Sequence, residues 1–405
     1  MIKLPSLSYL ERYRNEGTRT YSKHSDYSEA AAPYQPASEH PGFAVPAFRI
    51  PRRCVNIYAA NPTEAVRRRY LEPENPLFCV HPQVIETCQD DPYIAEVKAV
   101  GTPADPIPVE PTSSTRTLTV PGGVAHALKL HFPFRVSRYG RKMRDEVIEQ
   151  AVAVSLELER GVDVFDRSFA FLREVIGVSL KNKEQAAQRG ENWGYLVRDM
   201  TPFPQAQGSR PLIPGFALYG KDLFDPGQEL LLYELIGERE PLRWVLDNLM
   251  LPIVQQWVAC YRAFGFMLEP HGQNVLLEID ADSEIARIVH RDLSVGIDMR
   301  RRRDNGLNAD HLNNYNRMDN GEFASISYDM FMGSHFFERV VECCVQRFPH
   351  LVPEDFRGPC RERFAELFPD FGRYLPDDVC YFSEKRDKFN KPLYEHTGRK
   401  PVWRP

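Results

Sequence analysis

Two stretches of the chain alternate apolar and polar residues with period two, the signature of half-buried strands. Thr115 to Val120 is rich in β-branched residues. Further on, Leu128, Leu130, Phe132, Phe134 and Val136 alternate with Lys129, His131 and Arg135. Pro121-Gly122-Gly123 between them is turn chemistry, because proline presets φ and glycine accepts positive φ. The pattern predicts a hairpin that places Lys129 across from Thr115. Val275 to Ile279 and Ile285 to Arg291 predict a second hairpin, turning at Asp280-Ala281-Asp282-Ser283.

Helical periodicity marks two further segments. Arg144 to Arg160 carries Val147, Ile148, Ala151, Val154, Ser155 and Leu158 on one side, and Gly161 ends it. Leu242 to Phe264 carries Ile253, Trp257, Tyr261 and Phe264 as a stripe ended by Gly265, which reads as core packing. Residues 1–50 are polar and proline-punctuated and read as a flexible or extended arm. Residues 51–110 hold short apolar runs broken by prolines and resist assignment. Residues 304–405 mix short helices and loops. The pattern as a whole predicts a mixed α/β (α+β) protein.

Length and charge narrow the class. A chain of 405 residues predicts two or three domains. With 51 Lys+Arg against 56 Asp+Glu, the net charge of -5 argues against a general binder of nucleic acid or anionic membrane. The eight cysteines form no CxxC pair, which argues against a disulfide scaffold and a structural zinc site. The start has no apolar core of signal-peptide length, and Leu249 to Leu268 is interrupted by Gln255, Gln256 and Arg262. A reduced, soluble, cytoplasmic protein is expected.

The second hairpin carries the clearest chemistry. Antiparallel pairing about a turn near Asp282 brings Asp292 opposite Gly272, within two residues. One end of the hairpin then gathers Glu269, His271, Gln273, Asn274 and Asp292. Two carboxylates and an amide oxygen suit Mg²⁺, and an adjacent imidazole suits phosphate contact or proton transfer. The bland alternative is a polar loop whose side chains satisfy one another. The first hairpin adds Ser113, Ser114, Thr115, Arg116, Thr117 and Lys129, with Arg138 and Arg141 beyond it. These are the hydroxyls and fixed cations a polyphosphate needs. By period two, Arg116 points away from Thr117 and Lys129 unless a bulge intervenes. His290-Arg291-Asp292-Leu293 mimics a kinase catalytic loop, but Ile297 stands where that motif needs Asn, and no Gly-rich phosphate loop precedes it. Arg300 to Arg303 reads as a solvated loop, and Cys343-Cys344 as buried filler.

Taken together, PTSSTRT (111–117), ALKL (127–130), VSRYGR (136–141), YLVRD (195–199), LEPHGQN (268–274) and HRDL (290–293) resemble the aerobactin-synthetase family. These are the NRPS-independent siderophore synthetases of the IucA/IucC type. The resemblance implies a hand-like fold with ATP between fingers and palm: a reduced thumb at 51–105, fingers at 106–240 and a palm at 241–405. The amino-terminal thumb would be shortened, because the Ser-Ser-x-Arg-Thr element usually lies deeper in the chain. It implies an AMP-forming ligase that activates a carboxylic acid such as citrate with Mg-ATP and joins it to an amine or alcohol. Siderophore or related biosynthesis follows as the setting, and a non-catalytic nucleotide-binding relative is the alternative. By resemblance, Ser114, Arg116, Thr117, Lys129, Ser137, Arg141 and Gln273 hold ATP. His271, Arg141 and Lys129 act on the reacting groups, and Glu269, Asn274 and Asp292 bind Mg²⁺. Partners are small molecules, with neither nucleic acid nor membrane, and a homodimer is one option for assembly. On this reading Asp292→Asn removes a metal ligand yet keeps or raises stability, because it relieves repulsion with Glu269.

Overall fold

The computed structural model describes residues 4–19, 27–136, 139–181, 193–208, 210–386 and 392–405. Both predicted hairpins form, and each sits in a different sheet. The first pairs Thr117–Val120 with His126–Leu130 and sets Lys129 opposite Thr117 rather than Thr115. The second of these strands ends at Leu130 and does not run on to Val136. It has neighbours on both sides, and Pro133 has no N–H to donate to such a ladder. The chain therefore leaves the sheet at His131, and Phe132–Val136 pairs with Tyr139–Arg141 instead.

That hairpin lies within an eight-stranded antiparallel sheet. Its order is Val55–Ala59, Glu174–Leu180, Gly194–Asp199, His126–Leu130, Thr117–Val120, Thr102–Pro111, Phe43–Arg49 and Leu77–Cys79. The helix Asp145–Arg160 packs on it through the side predicted from its periodicity. Two glycines permit the close approach. A Cβ on Gly177 would lie 2.3 Å from Ile148 Cγ2, and one on Gly194 would lie 2.6 Å from Ile148 Cδ1.

The second hairpin is the centre of a four-stranded sheet ordered Leu212–Pro214, Val275–Ile279, Ile285–His290 and Phe169–Phe171, the last pair being parallel. Val275 faces His290 and Glu278 faces Arg287, but Ile279 faces Ile285. Ala286 is thus an extra residue, a bulge that moves the far end by one position. Extending that ladder sets Asp292 beside Gln273, one residue from the predicted Gly272. Asp280 accepts the N–H groups of Asp282 and Glu284, each at 2.9 Å, and so fixes the turn.

The small sheet rests on the predicted second helix, seen as Pro241–Val245, Leu246–Met250 and Leu251–Phe264. Its middle segment widens to π turns just before Pro252, where the ring and missing N–H would otherwise disrupt a regular helix. Ile253, Trp257, Tyr261 and Phe264 are buried in the core, and Gly265 closes the helix at φ 71°.

The amino-terminal segment is packed where it is described. Leu7–Tyr13 is a helix capped by Ser6, Leu10 enters the core, and Arg12 donates to the carbonyls of Pro36, Ser38, His40 and Pro41. The arginine run forms the helix Met299–Asp304. Arg302 is buried there against Glu157 and the carbonyls of Phe264 and Asn308, so half of the run is structural rather than solvated. Cys344 is buried as expected, while Cys343 is half-buried. Among the described residues, no helix is long and apolar enough to cross a membrane.

Candidate active site

The chain passes directly from the small sheet to the large one. Leu172 N–H donates to His290 O at 2.8 Å, and two residues later Glu174–Leu180 has joined the eight-stranded sheet. This crossing brings the open end of the second hairpin against the first. Lys129 Nζ lies 2.5 Å from Asp292 Oδ1, across 163 residues of sequence. One cleft is lined by Ser114, Arg116, Thr117, Lys129 and Arg141 from the first cluster and by Gln273, Asn274 and Asp292 from the second. Thr112, Arg198 and Arg291 complete it. Ser137 and Arg138 lie outside the described residues.

Backbone geometry explains how Arg116 reaches the same cleft as Lys129. Thr115 sits at φ 67° and breaks the alternation, as a bulge would. Arg116 then donates to the carbonyl of Arg141 at 3.0 Å. Asp292 lies at φ 69° on the opposite wall. Left-handed backbone is uncommon for either residue type and gathers at functional loops, at a cost of about 1–3 kcal/mol each.

The lining is cationic: Arg116, Lys129, Arg141, Arg198 and Arg291 face one carboxylate, Asp292. Arg198 is held by Glu174 behind the wall, with Nη2 to Oε1 at 2.5 Å. Burial pushes Arg116 down to about 10, with Arg141 adding to the effect. Burial lowers Lys129 too, although Asp292 opposes it. Burial alone would raise the Asp292 carboxyl, but Lys129, then Arg198 and Arg116, hold it far below the ordinary carboxylate range.

Glu269 and His271 stand just behind this lining. Burial, reinforced by Asp292, pushes the Glu269 carboxyl up to about 8, so it keeps its proton at neutral pH. Burial lowers His271 to about 4, leaving it neutral. Glu269, Asn274 and Asp292 offer oxygen donors alone, the donor type a hard divalent ion takes, and such an ion would displace the Glu269 proton. The Lys129 contact also corrects the stability expected for Asp292→Asn. The dominant neighbour of Asp292 is a buried ammonium, not another carboxylate.

One residue joins the two hairpins and was not identified from the sequence. Glu11, on the Leu7–Tyr13 helix, accepts from Ser113 N at 3.1 Å and Ser113 Oγ at 2.7 Å, and its other oxygen lies 2.6 Å from Arg291 Nη1. Gln273 Nε2 donates to the same Ser113 hydroxyl at 3.1 Å. No local pattern marks Glu11, whose partners are all distant in sequence.

Residues 51–219 match the model of the IucA / IucC family. The petrobactin biosynthesis protein AsbB from Bacillus anthracis has the same fold. It has a TM-score of 0.71 and 14% identity over 99% of this chain and 76% of its own. Aerobactin synthetase IucC from Klebsiella pneumoniae gives 0.65 at 15% identity, over 96% of this chain and 74% of its own. ATP-bound aerobactin synthetase IucA from the same organism gives 0.62 at 15% identity, over 85% of this chain and 66% of its own. No curated protein matches the sequence. The mixed helix-and-sheet architecture expected of the family is therefore the one observed.

Proposed function

We propose that this protein is a member of the IucA/IucC family and an AMP-forming ligase. It would activate a carboxylic acid with ATP and pass the acyl group to an amine or alcohol. The observation that carries this reading is the Lys129–Asp292 contact, which closes one cationic cleft from two motif clusters far apart in sequence. Arg116, Lys129 and Arg141, with the hydroxyls of Ser114 and Thr117, provide the charge and donors a triphosphate requires. Gln273, and Ser137 by resemblance, would complete the nucleotide contacts. Glu269, Asn274 and Asp292 would hold Mg²⁺, which supplies neutralisation of phosphate charge.

In the first half-reaction a carboxylate oxygen attacks the α-phosphorus and the bond to pyrophosphate breaks. Fixed cations stabilise the charge that builds on the phosphoryl oxygens, and they do so in a partly dry cleft where they act strongly. In the second, the nucleophile's lone pair forms the C–N or C–O bond, AMP leaves, and a base takes the released proton. By resemblance His271 would act on the reacting groups, although burial makes its imidazole a weaker base than a free one. In a hand-like division, residues 106–240 would serve as fingers and 241–405 as palm. A product in the siderophore class follows from the family and its structural neighbours.

The test is product analysis. Purified protein with ATP, Mg²⁺ and a panel of polycarboxylic acids and amines should release pyrophosphate and AMP in step with acid consumption. ADP as the product would replace adenylation by an acyl-phosphate route. Tight ATP binding with no turnover over the whole panel would favour a non-catalytic relative.

A further inference from the structure

Far along the chain from these cleft residues, the hairpin Cys380–Arg386 and Pro392–His396 brings together a different set of donors. Cys380 and His396 are directly paired across the ladder, and Asp378 lies just before the first strand. Cys380 Sγ is 3.7 Å from His396 Nδ1, and His396 Nδ1 is 2.6 Å from Asp378 Oδ1. The three donor atoms all lie within 4.8 Å of one another. We propose that Asp378, Cys380 and His396 form a mononuclear site for a Zn²⁺-class transition-metal ion that ties the two strands of this hairpin together at its open end.

The geometry is close to what such an ion needs. Tetrahedral bonds of about 2.0–2.3 Å place neighbouring ligands roughly 3.3–3.8 Å apart. The Cys–His pair already meets this, and the Asp–His pair must open by about 0.7 Å, within reach of one carboxylate rotamer. The surroundings orient each donor. Glu322 Oε1 lies 3.8 Å from His396 Nε2, on the far side of the ring, and the Nδ1 proton now shared with Asp378 would leave when an ion binds. Gly398 N–H donates to Asp378 Oδ2 at 2.9 Å, which leaves Oδ1 for the ion. Cys380 N–H donates to Ser325 Oγ at 3.0 Å, and Thr397 N–H to Val379 O at 2.9 Å.

Chemistry separates this site from the cleft. A sulfur, nitrogen and oxygen set selects zinc, cobalt or related ions, whereas Glu269, Asn274 and Asp292 offer oxygen alone and suit magnesium. The fourth position is open to water, because His396 is an exposed residue. The absence of a CxxC pair did not exclude such a site. Here the cysteine and histidine ligands meet across a ladder, 16 residues apart, rather than along one turn.

The experiment is a Co²⁺ titration of the chelator-treated full-length protein. One equivalent should bind with a thiolate-to-cobalt charge-transfer band and tetrahedral d–d absorption, and Zn²⁺ should displace it while millimolar Mg²⁺ should not. Cys380→Ser should abolish the charge-transfer band, and His396→Ala, at an exposed position, should weaken Co²⁺ binding at least tenfold. The proposal is overturned by failure to retain Co²⁺, by an octahedral spectrum without sulfur, or by a band that survives both Cys380→Ser and His396→Ala.

Discussion

Asp292→Asn separates the roles of one carboxylate. Asparagine keeps the shape and tolerates the φ of 69° found here, so the change removes charge without adding backbone strain. Lys129 is 3% exposed at its side chain and Asp292 31%. At 2.5 Å the pair's attraction is about 7 kcal/mol at an effective dielectric constant of 20, and about 2 kcal/mol in water. Removing one partner of a fully buried pair costs about 3–5 kcal/mol, mostly as an unpaired charge left behind. Because Asp292 is partly open to solvent, a loss of about 2–3 kcal/mol is expected. Arg116 and Arg198 are also close to Lys129 and cannot replace the lost anion.

Denaturant unfolding of parent, Asp292→Asn, Lys129→Met and the double variant measures this directly. The double variant should recover most of the stability lost in Asp292→Asn, because it leaves no buried ammonium unpaired. In the pyrophosphate assay Asp292→Asn should lose about a hundredfold or more in turnover, comparable to deleting one strong electrostatic contact. An unchanged unfolding midpoint would mean that the pair does not anchor the cleft. A double variant no more stable than Asp292→Asn would refute the buried-charge explanation. Full activity in Asp292→Asn would remove Asp292 from the metal site.

Three further outcomes follow. Glu11→Gln should cost about 3 kcal/mol in unfolding free energy, since Arg291 loses its anion and both side chains are nearly fully buried; a midpoint equal to the parent's would show that Glu11 does not tie the hairpins together. Chelation by EDTA should stop pyrophosphate release, and excess Mg²⁺ should restore it; restoration by Zn²⁺ alone would contradict an all-oxygen magnesium site. His81 is buried and its folded-state pKa is lowered to about 3, so below about 6.5 the unfolded chain binds a proton that the folded one does not. Its contribution is full above that pH and falls by about 1.4 kcal/mol per unit as pH drops toward 3. His81 caps the helix Pro82–Thr87 by accepting from Gln83 N at 3.2 Å, a role His81→Asn can keep, and in that variant unfolding measured from pH 7 to pH 4 should show a shallower slope by that amount.

What could be read from the sequence was local. Both hairpins and the Asp145–Arg160 helix were legible because alternation, turn residues and helical spacing act within about twenty residues. The errors also have local causes. Pro133 ended a strand that apolar alternation alone would have continued, and the Ala286 bulge moved Asp292 by one register position. The strand Thr102–Pro111 resisted assignment because it carries four prolines. It tolerates them because its pairing with Thr117–Val120 is confined to Glu110 and Pro111, so most of its length has one open edge. Arg198 and Glu11 could not be assigned a place, since their positions depend on which strands become neighbours.

The same reasoning bears on why the cleft itself looks uncomfortable. Thr115 and Asp292 hold left-handed backbone, Lys129 is buried, and burial with the nearby Asp292 charge keeps Glu269 protonated. Each of these is unfavourable for folding alone, and their concentration in one place is what a site shaped for charged ligands requires. Elsewhere several buried charges are matched pairwise. Arg404 meets Asp329 at 3.0 Å, and Arg287 takes both oxygens of Glu278. In the cleft the lining cations outnumber the carboxylates, an imbalance that a bound polyanion would offset.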